Sequence, residues 1–169
     1  MAVRKLMTWL LYVLYALVAL VAAVFVAGQA GFLSGKEPPD LGVKDGRLKP
    51  PSRTENSVSS QASLYPDHPM KAYAEIAPFK FTGDGRAALD RIKRIVEATE
   101  GARIVRAEPT YLYAQFQTRW LKFVDDVEFF ADENAKMVHV RSASRIGRGD
   151  LGVNRARIEA IRTRFDIQR

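Results

Sequence analysis

The sequence predicts an α+β fold: a small antiparallel sheet of four to five strands with two helices packed on one face, in the order β-α-β-β-β-β-α, preceded by one N-terminal transmembrane helix. Three observations predict it. Leu6 to Ala27 is a run of 22 residues without a charge. Two stretches, one beginning at Asp84 and one near Asp150, carry apolar residues at helical spacing, and four strand-like runs lie between them. Strands bracketed by helices favour helices laid on one face of an antiparallel sheet. A chain of 169 residues has room for about one domain.

The apolar run comes first. As a helix it is about 33 Å long, enough for a bilayer core of about 30 Å. Trp9, Tyr12 and Tyr15 cluster near its start, where amphipathic rings favour the interface. A cleaved signal peptide is the competing reading, with Gly28-Gln29-Ala30 as a small-x-small site, but its apolar region is usually shorter, about 7–15 residues. Arg4 and Lys5 precede the run and no basic residue follows it until Lys36. Positive flanks stay inside, which places the N-terminus in the cytoplasm and the rest outside, in the periplasm of a Gram-negative cell. The expected localisation is the inner (plasma) membrane, single-pass, with an extracytoplasmic domain.

The divisions expected are a cytoplasmic flank at 1–5, the transmembrane helix at 6–27, an extended linker at 28–78 and a compact α+β domain at 79–169. The linker holds seven of the eight prolines, is rich in Gly, Ser and Asp, and has six basic against six acidic residues. It shows neither a period of 2 nor of 3.6.

The compact region opens with Phe79–Phe81 as a candidate edge strand. Asp84 can cap a helix whose apolar positions are Ala88, Leu89, Ile92, Ile95, Val96 and Thr99, with Gly101 placed to end it. Arg103–Glu108, Thr110–Thr118, Lys122–Ala131 and Lys136–Arg145 read as strands, with Asp132 to Ala135 as the last hairpin turn. Leu151, Ile158, Ile161 and Phe165 form the stripe of a final helix starting near Asp150. About 90 residues can support one core.

That hairpin carries the polar residues of interest. If Ala131 pairs with Lys136, Phe129 opposes Val138 and Val127 opposes Val140 on the core face. On the other face Asp126 opposes Arg141 and Glu128 opposes His139, as cross-strand pairs. Asp125 and Ser142 point to the core side, where a buried Asp needs partners. The set reads either as a solvated salt-bridge ladder or as a polar groove for a ligand, with His139 as a candidate general base. The following loop, Arg141 to Asp150, brings glycines and arginines to a helix N-terminus, a place for an anion, although Asp150 would repel one there.

Several classes are disfavoured. There are no cysteines and only two histidines, so disulfides, thiolate chemistry and a multi-histidine metal centre are not expected. No Gly-x-Ser-x-Gly elbow and no Walker pattern occurs. No cofactor, metal or catalytic residue is assigned.

A set of motifs occurs in fixed order: Asn56-Ser57-Val58-Ser59-Ser60, Asp125-Asp126-Val127-Glu128, Val140-Arg141-Ser142-Ala143-Ser144-Arg145-Ile146-Gly147, Asp150-Leu151-Gly152-Val153-Asn154-Arg155, then Arg157-Ile158-Glu159. Over residues 50–166 this resembles the bacterial and plastid family called domain of unknown function 1499. The resemblance implies an exported, membrane-attached protein whose polar signature falls at Asp126, Glu128, Arg141, Ser142, Ser144, Arg145, Asp150, Asn154 and Arg155. It implies no reaction. Family members commonly carry Cys where Ser57 stands, so no thiol role transfers to this chain.

The ligand-binding set expected is therefore Asp126, Glu128, His139, Arg141, Ser142, Ser144, Arg145, Asn154 and Arg155. The net charge of +7 divides unevenly: +2 in residues 1–30, zero in 31–78, zero in 79–140, and +5 in 141–169, where eight arginines face three acids. The expected function is a non-catalytic binding or interaction module of the envelope, for an anionic ligand or partner. Its expected partners are the lipid bilayer through residues 6–27, then an anionic lipid, a cell-wall polymer or an envelope protein, and no nucleic acid. The alternative is a hydrolase-type enzyme using Asp126, Glu128, His139 and Arg141.

Overall fold

A computed structural model describes residues 2–167. The chain runs through α1 (Ala2–Gln29), β1 (Ser57–Ser59), a 3-10 turn at Ala62–Leu64, the one-turn α2 (Lys71–Ala74), β2 (Phe79–Lys80), α3 (Gly85–Glu97), β3 (Ala102–Ala107), β4 (Tyr111–Gln117), β5 (Val124–Asp132), β6 (Met137–Ser144) and α4 (Val153–Ile167). The sheet is antiparallel, ordered β1-β6-β5-β4-β3, and β2 shares the outer edge of β6 with β1. The α+β expectation holds.

α1 is long and apolar enough to cross a membrane, and its side chains are exposed through Val26, ahead of the half-buried Ala27 and the buried Gly28. α3 starts at Asp84, whose carboxylate accepts from the Arg86 N–H at 3.1 Å, and its apolar stripe from Ala88 to Val96 is buried. It ends before Gly101. That residue has φ +76° and lies so close to β4 that a Cβ would sit 2.5 Å from the Gln117 carbonyl oxygen, so only glycine fits. α4 contributes Ile158, Ile161 and Phe165. These two helices cover one face of the sheet, where Val58, Leu112, Ala114, Phe116, Val127, Phe129, Val138 and Val140 complete the core.

α4 begins three residues later than expected, because Leu151 and Gly152 both take left-handed φ, +52° and +81°, which a helix cannot include. The β5–β6 register also differs. Asp132 pairs with Met137, so Glu128 opposes Arg141, Asp126 opposes Ala143 and His139 opposes Phe130. The cause is the turn. Asp132 Oδ1 accepts from the Asn134 and Ala135 N–H groups, both at 2.9 Å, and Lys136 is left-handed at φ +53°. A four-residue loop results, and the register moves by two. A two-residue shift keeps every side chain on its expected face.

The stretch 28–78, expected as an extended linker, has little regular structure but is packed. Ser57–Ser59 adds a strand to β6. Leu48, Asn56, Val58, Gln61, Ala62, Ala74 and Ile76 are buried. Residues before β1 cross the sheet face opposite the helices, where Leu48, Tyr111 and Tyr113 form a second small core with Leu41 and Phe130. The prolines here interrupt regular structure without freeing the chain, because its N–H groups find side-chain acceptors. Leu48 N–H donates to Gln61 Oε1 and Gly42 N–H to Glu128 Oε1, each at 2.8 Å.

Candidate functional site

The structure divides the predicted set between the two faces of the sheet. Strand alternation does this: Asp126, Glu128, His139, Arg141 and Arg145 face away from the helices, while Asp125, Ser142 and Ser144 face them.

On the far face the acids and arginines are buried. Glu128 has no exposed surface, Asp126 has 1% and Arg141 has 3%. Asp126 takes a bidentate fork from Arg145, Nε to Oδ2 at 2.9 Å and Nη2 to Oδ1 at 2.8 Å, and Tyr113 donates to it at 2.6 Å. Arg145 also reaches Tyr113 and Glu37. Glu128 Oε1 accepts from the Tyr111 hydroxyl and the Gly42 N–H, both at 2.8 Å. Its other oxygen faces Arg141 Nη1 at 3.6 Å, and neither of those two atoms makes a hydrogen bond. Arg141 Nε donates to the Pro50 carbonyl at 3.1 Å.

Burial dominates the titration of Glu128, Arg141 and the two tyrosines. It raises the Glu128 carboxyl against the opposing pull of Arg141, Gly42 and Tyr111. It lowers Arg141 against the pull of Glu128 and Asp126. It raises both tyrosine hydroxyls, and the carboxylate each one faces raises them further. The open ladder envisaged from the sequence is thus an internal network roofed by residues 37–50.

His139 is not in it. Its ring stacks on Phe130 at 6.3 Å between centroids, and Nδ1 lies 3.3 Å from Ser60 Oγ. Burial lowers its pKa. The expected Glu128–His139 pair is absent because of the register shift, so the residues named for a hydrolase do not meet at one point. A serine and a histidine do touch, but no carboxylate hydrogen-bonds the ring among the described residues.

The helix face holds a second network. Ser142 Oγ donates to Asn154 Oδ1 at 2.5 Å. Asn154 Nδ2 reaches Asp150 Oδ2 at 2.7 Å, Ser144 Oγ at 3.0 Å and the Asn56 carbonyl at 3.2 Å. Arg157 Nη1 donates to Asn154 Oδ1 and Ser142 Oγ, and its Nη2 to Asp125 Oδ2 at 2.5 Å. Asn56 Nδ2 closes the ring on the Gly147 carbonyl at 2.8 Å. Asp150 accepts from the Gly152 and Asn154 N–H groups, so the chain's own carboxylate occupies the N-terminus of α4. Tyr73 donates to it at 2.7 Å. Burial and that carboxylate push the Tyr73 hydroxyl up to about 12. Burial alone would raise Asp150, but the bonds from Tyr73, Asn154 and Gly152 hold it below the usual carboxylate range.

Arg155 stands apart from both networks and ties α4 to the carbonyls of Tyr73 and Glu75. Arg162 does the same at Ala77 and Pro78.

Asn56, Asp125, Arg157, Tyr73, Tyr111 and Tyr113 belong to these networks and were not in the predicted set. Asn56, Asp125 and Arg157 do lie in the sequence motifs. Tyr111 and Tyr113 alternate with Leu112 and Ala114, a period-2 signal for the polar face. Gly42 and Pro50 gave no local signal, since their partners are 86 and 91 residues away.

A different surface offers a ligand open charge. Lys44 and Arg47 exchange both backbone hydrogen bonds, at 2.9 and 3.0 Å, around Asp45-Gly46, which has φ +52° and +72°. This is the turn that an Asp-Gly pair favours. It sets the two exposed cations side by side on the wall of a groove of about 580 Å³, with Lys49, Asp40 and Tyr65 across it. Lys49 pairs with Asp40. Lys44 and Arg47 have no ion pair among the described residues.

A family model described as protein of unknown function (DUF1499) matches residues 47–165, well over half of the chain. No curated protein matches the chain, and no solved structure does. The matched region begins at Arg47 and includes the helix-face network and the strand residues of the far-face network, while Glu37, Gly42 and Lys44 precede it.

Proposed function

From a chain that belongs to the DUF1499 family of proteins of unknown function, we propose a single-pass membrane-anchored binding module. Its N-terminus lies in the cytoplasm, and its α+β domain lies in the periplasm or the equivalent extracytoplasmic space. The domain is non-catalytic and takes an anionic ligand or partner. The observation that carries this reading is the Lys44–Arg47 turn: two adjacent cations without ion pairs among the described residues, held by a two-residue hairpin turn at an open groove. The distribution of the other charges supports it. Of the arginines in 141–167, Arg141, Arg145 and Arg157 serve buried carboxylates. Arg155 and Arg162 serve backbone carbonyls, and Arg164 bonds Thr99. The basic C-terminal stretch is mostly consumed in holding the fold. The orientation rests on Arg4 and Lys5.

Two measurements test the reading. Full-length protein in uncharged-lipid nanodiscs is titrated with polyphosphate as a generic polyanion. Lys44→Glu with Arg47→Glu is expected to weaken binding by about tenfold or more, while Arg148→Glu leaves it near wild type. Equal binding by wild type and the double variant would overturn the groove. An alkaline phosphatase fusion at the C-terminus is expected to be active in cells, and an inactive fusion would reverse the orientation.

A further inference from the structure

The end of α1 is fastened to the β4–β5 loop, residues 118–123. Gln29 Nε2 donates to the Trp120 carbonyl at 2.8 Å, and Ser34 Oγ donates to the Lys122 carbonyl at 3.1 Å. Gly28 packs so tightly on Leu121 that a Cβ would sit 2.8 Å from its carbonyl oxygen. The Phe25 ring lies 6.4 Å from the Trp120 ring. These contacts fix the level of the loop relative to the helix. Phe25 is two residues before Ala27, the last residue of the uncharged run, or about 3 Å along a helix axis. With α1 in a bilayer, Trp120 rides where hydrocarbon gives way to headgroups.

The side chains of the loop suit that level. Trp120 is 63% exposed, and indoles concentrate at membrane interfaces. The Arg119 guanidinium stacks over it at 5.1 Å. Neither Arg119 nor Lys122 has an ion pair among the described residues. Just past the helix Phe32 is 82% exposed. Aromatic rings are favoured where acyl chains meet headgroups, and cations beside them are favoured where anionic headgroups lie.

We infer that the β4–β5 loop is a lipid-binding surface. Trp120 lies among the headgroups of the bilayer that holds α1, Arg119 and Lys122 take the phosphates of anionic phospholipid, and the domain is seated on the membrane rather than hung from it. This rests on the reading of α1 as a membrane span. It does not depend on which side of the membrane the domain occupies.

The chain has two tryptophans, one at each end of the question. Full-length Trp9→Phe leaves Trp120 as the sole indole, and Trp120→Phe leaves Trp9. Each is reconstituted in phosphatidylcholine vesicles with and without phosphatidylglycerol, using lipid brominated near the headgroup end of its acyl chains. Trp120 emission is expected to be blue-shifted, quenched by the brominated lipid and shielded from aqueous acrylamide, most strongly with phosphatidylglycerol. In the Trp9→Phe background, Arg119→Glu with Lys122→Glu is expected to reverse that dependence, each basic residue being worth about fivefold in the seated-to-free ratio. Free inorganic phosphate should not change the signal. If Trp9 is quenched and Trp120 stays open to acrylamide, the lipid site is wrong and the membrane span stands. If neither is quenched, the span fails and the lipid site with it.

Discussion

At the scale of single residues, the two carboxylate–arginine pairs on the far face of the sheet differ in how well they offset their desolvation. Asp126 and Arg145 meet as a fork at 2.8 and 2.9 Å, with Tyr113 on the remaining acceptor capacity. Glu128 and Arg141 meet at 3.6 Å with one unbonded atom each. A buried pair is harmful to break and cheap to replace as a unit. Glu128→Gln is therefore expected to cost about 3–5 kcal/mol, because the Arg141 charge is left alone inside. Glu128→Leu with Arg141→Met should recover most of that loss. Thermal melts of the three proteins in detergent check this. His139 gives a pH test. Its folded pKa lies below its ordinary value of 6.5 because of burial, so the folded state binds the proton less readily than the unfolded one. The stability it contributes is present above about 6.5 and is lost as pH falls through the folded value. His139→Phe, which keeps a ring against Phe130, should flatten the melting temperature between pH 7 and pH 5.

At the scale of elements, β1 is the least expected and among the most consequential. It is three residues long, yet Val58 sits in the main core at 1% exposure, and Asn56 just before it joins the α4 network. Ser57 is fully buried and accepts from the Ser52 N–H at 2.8 Å, so the position fixes the path of the chain. Val58→Asp places an unpaired charge in that core and is expected to cost on the order of 4 kcal/mol, read from a melt. Helix α3 and strands β3 to β6 were legible from the sequence because periodicity and turn residues are local. β1 was not. Three residues carry no period, and the strand they pair along is β6, some 85 positions onward. The β5–β6 register was half legible: alternation assigned the faces, but Lys136 closing the turn in a left-handed conformation chose which residues oppose.

At the scale of the whole molecule, the stretch before β2 acts as roof and edge. Residues 37–50 cover Asp126, Glu128 and Arg141, and residues 57–59 cover the rim of β6. A chain beginning at residue 79 would leave two buried carboxylates and two buried guanidinium groups facing water, and would leave part of a strand edge unpaired. Such a chain is expected not to show cooperative unfolding, while one beginning at Lys36 should. Circular dichroism melts of the two distinguish them. Packing of this kind also explains why a stretch rich in proline and of zero net charge passes for a tether when read alone.

The apolar N-terminal helix, the α+β class, the faces of the sheet and the residue types that make up both polar networks were all readable along the chain. Those depend on length, period and composition, which act between near neighbours. Folding in three dimensions settled which acid meets which arginine, that the arginines of the last stretch are mostly spent on carbonyls and buried carboxylates, and that Lys44, Arg47, Arg119 and Lys122 are among the cations left without an ion pair in the described residues. A charge is free or paired according to partners tens of residues away, and no local pattern in a chain records that distance.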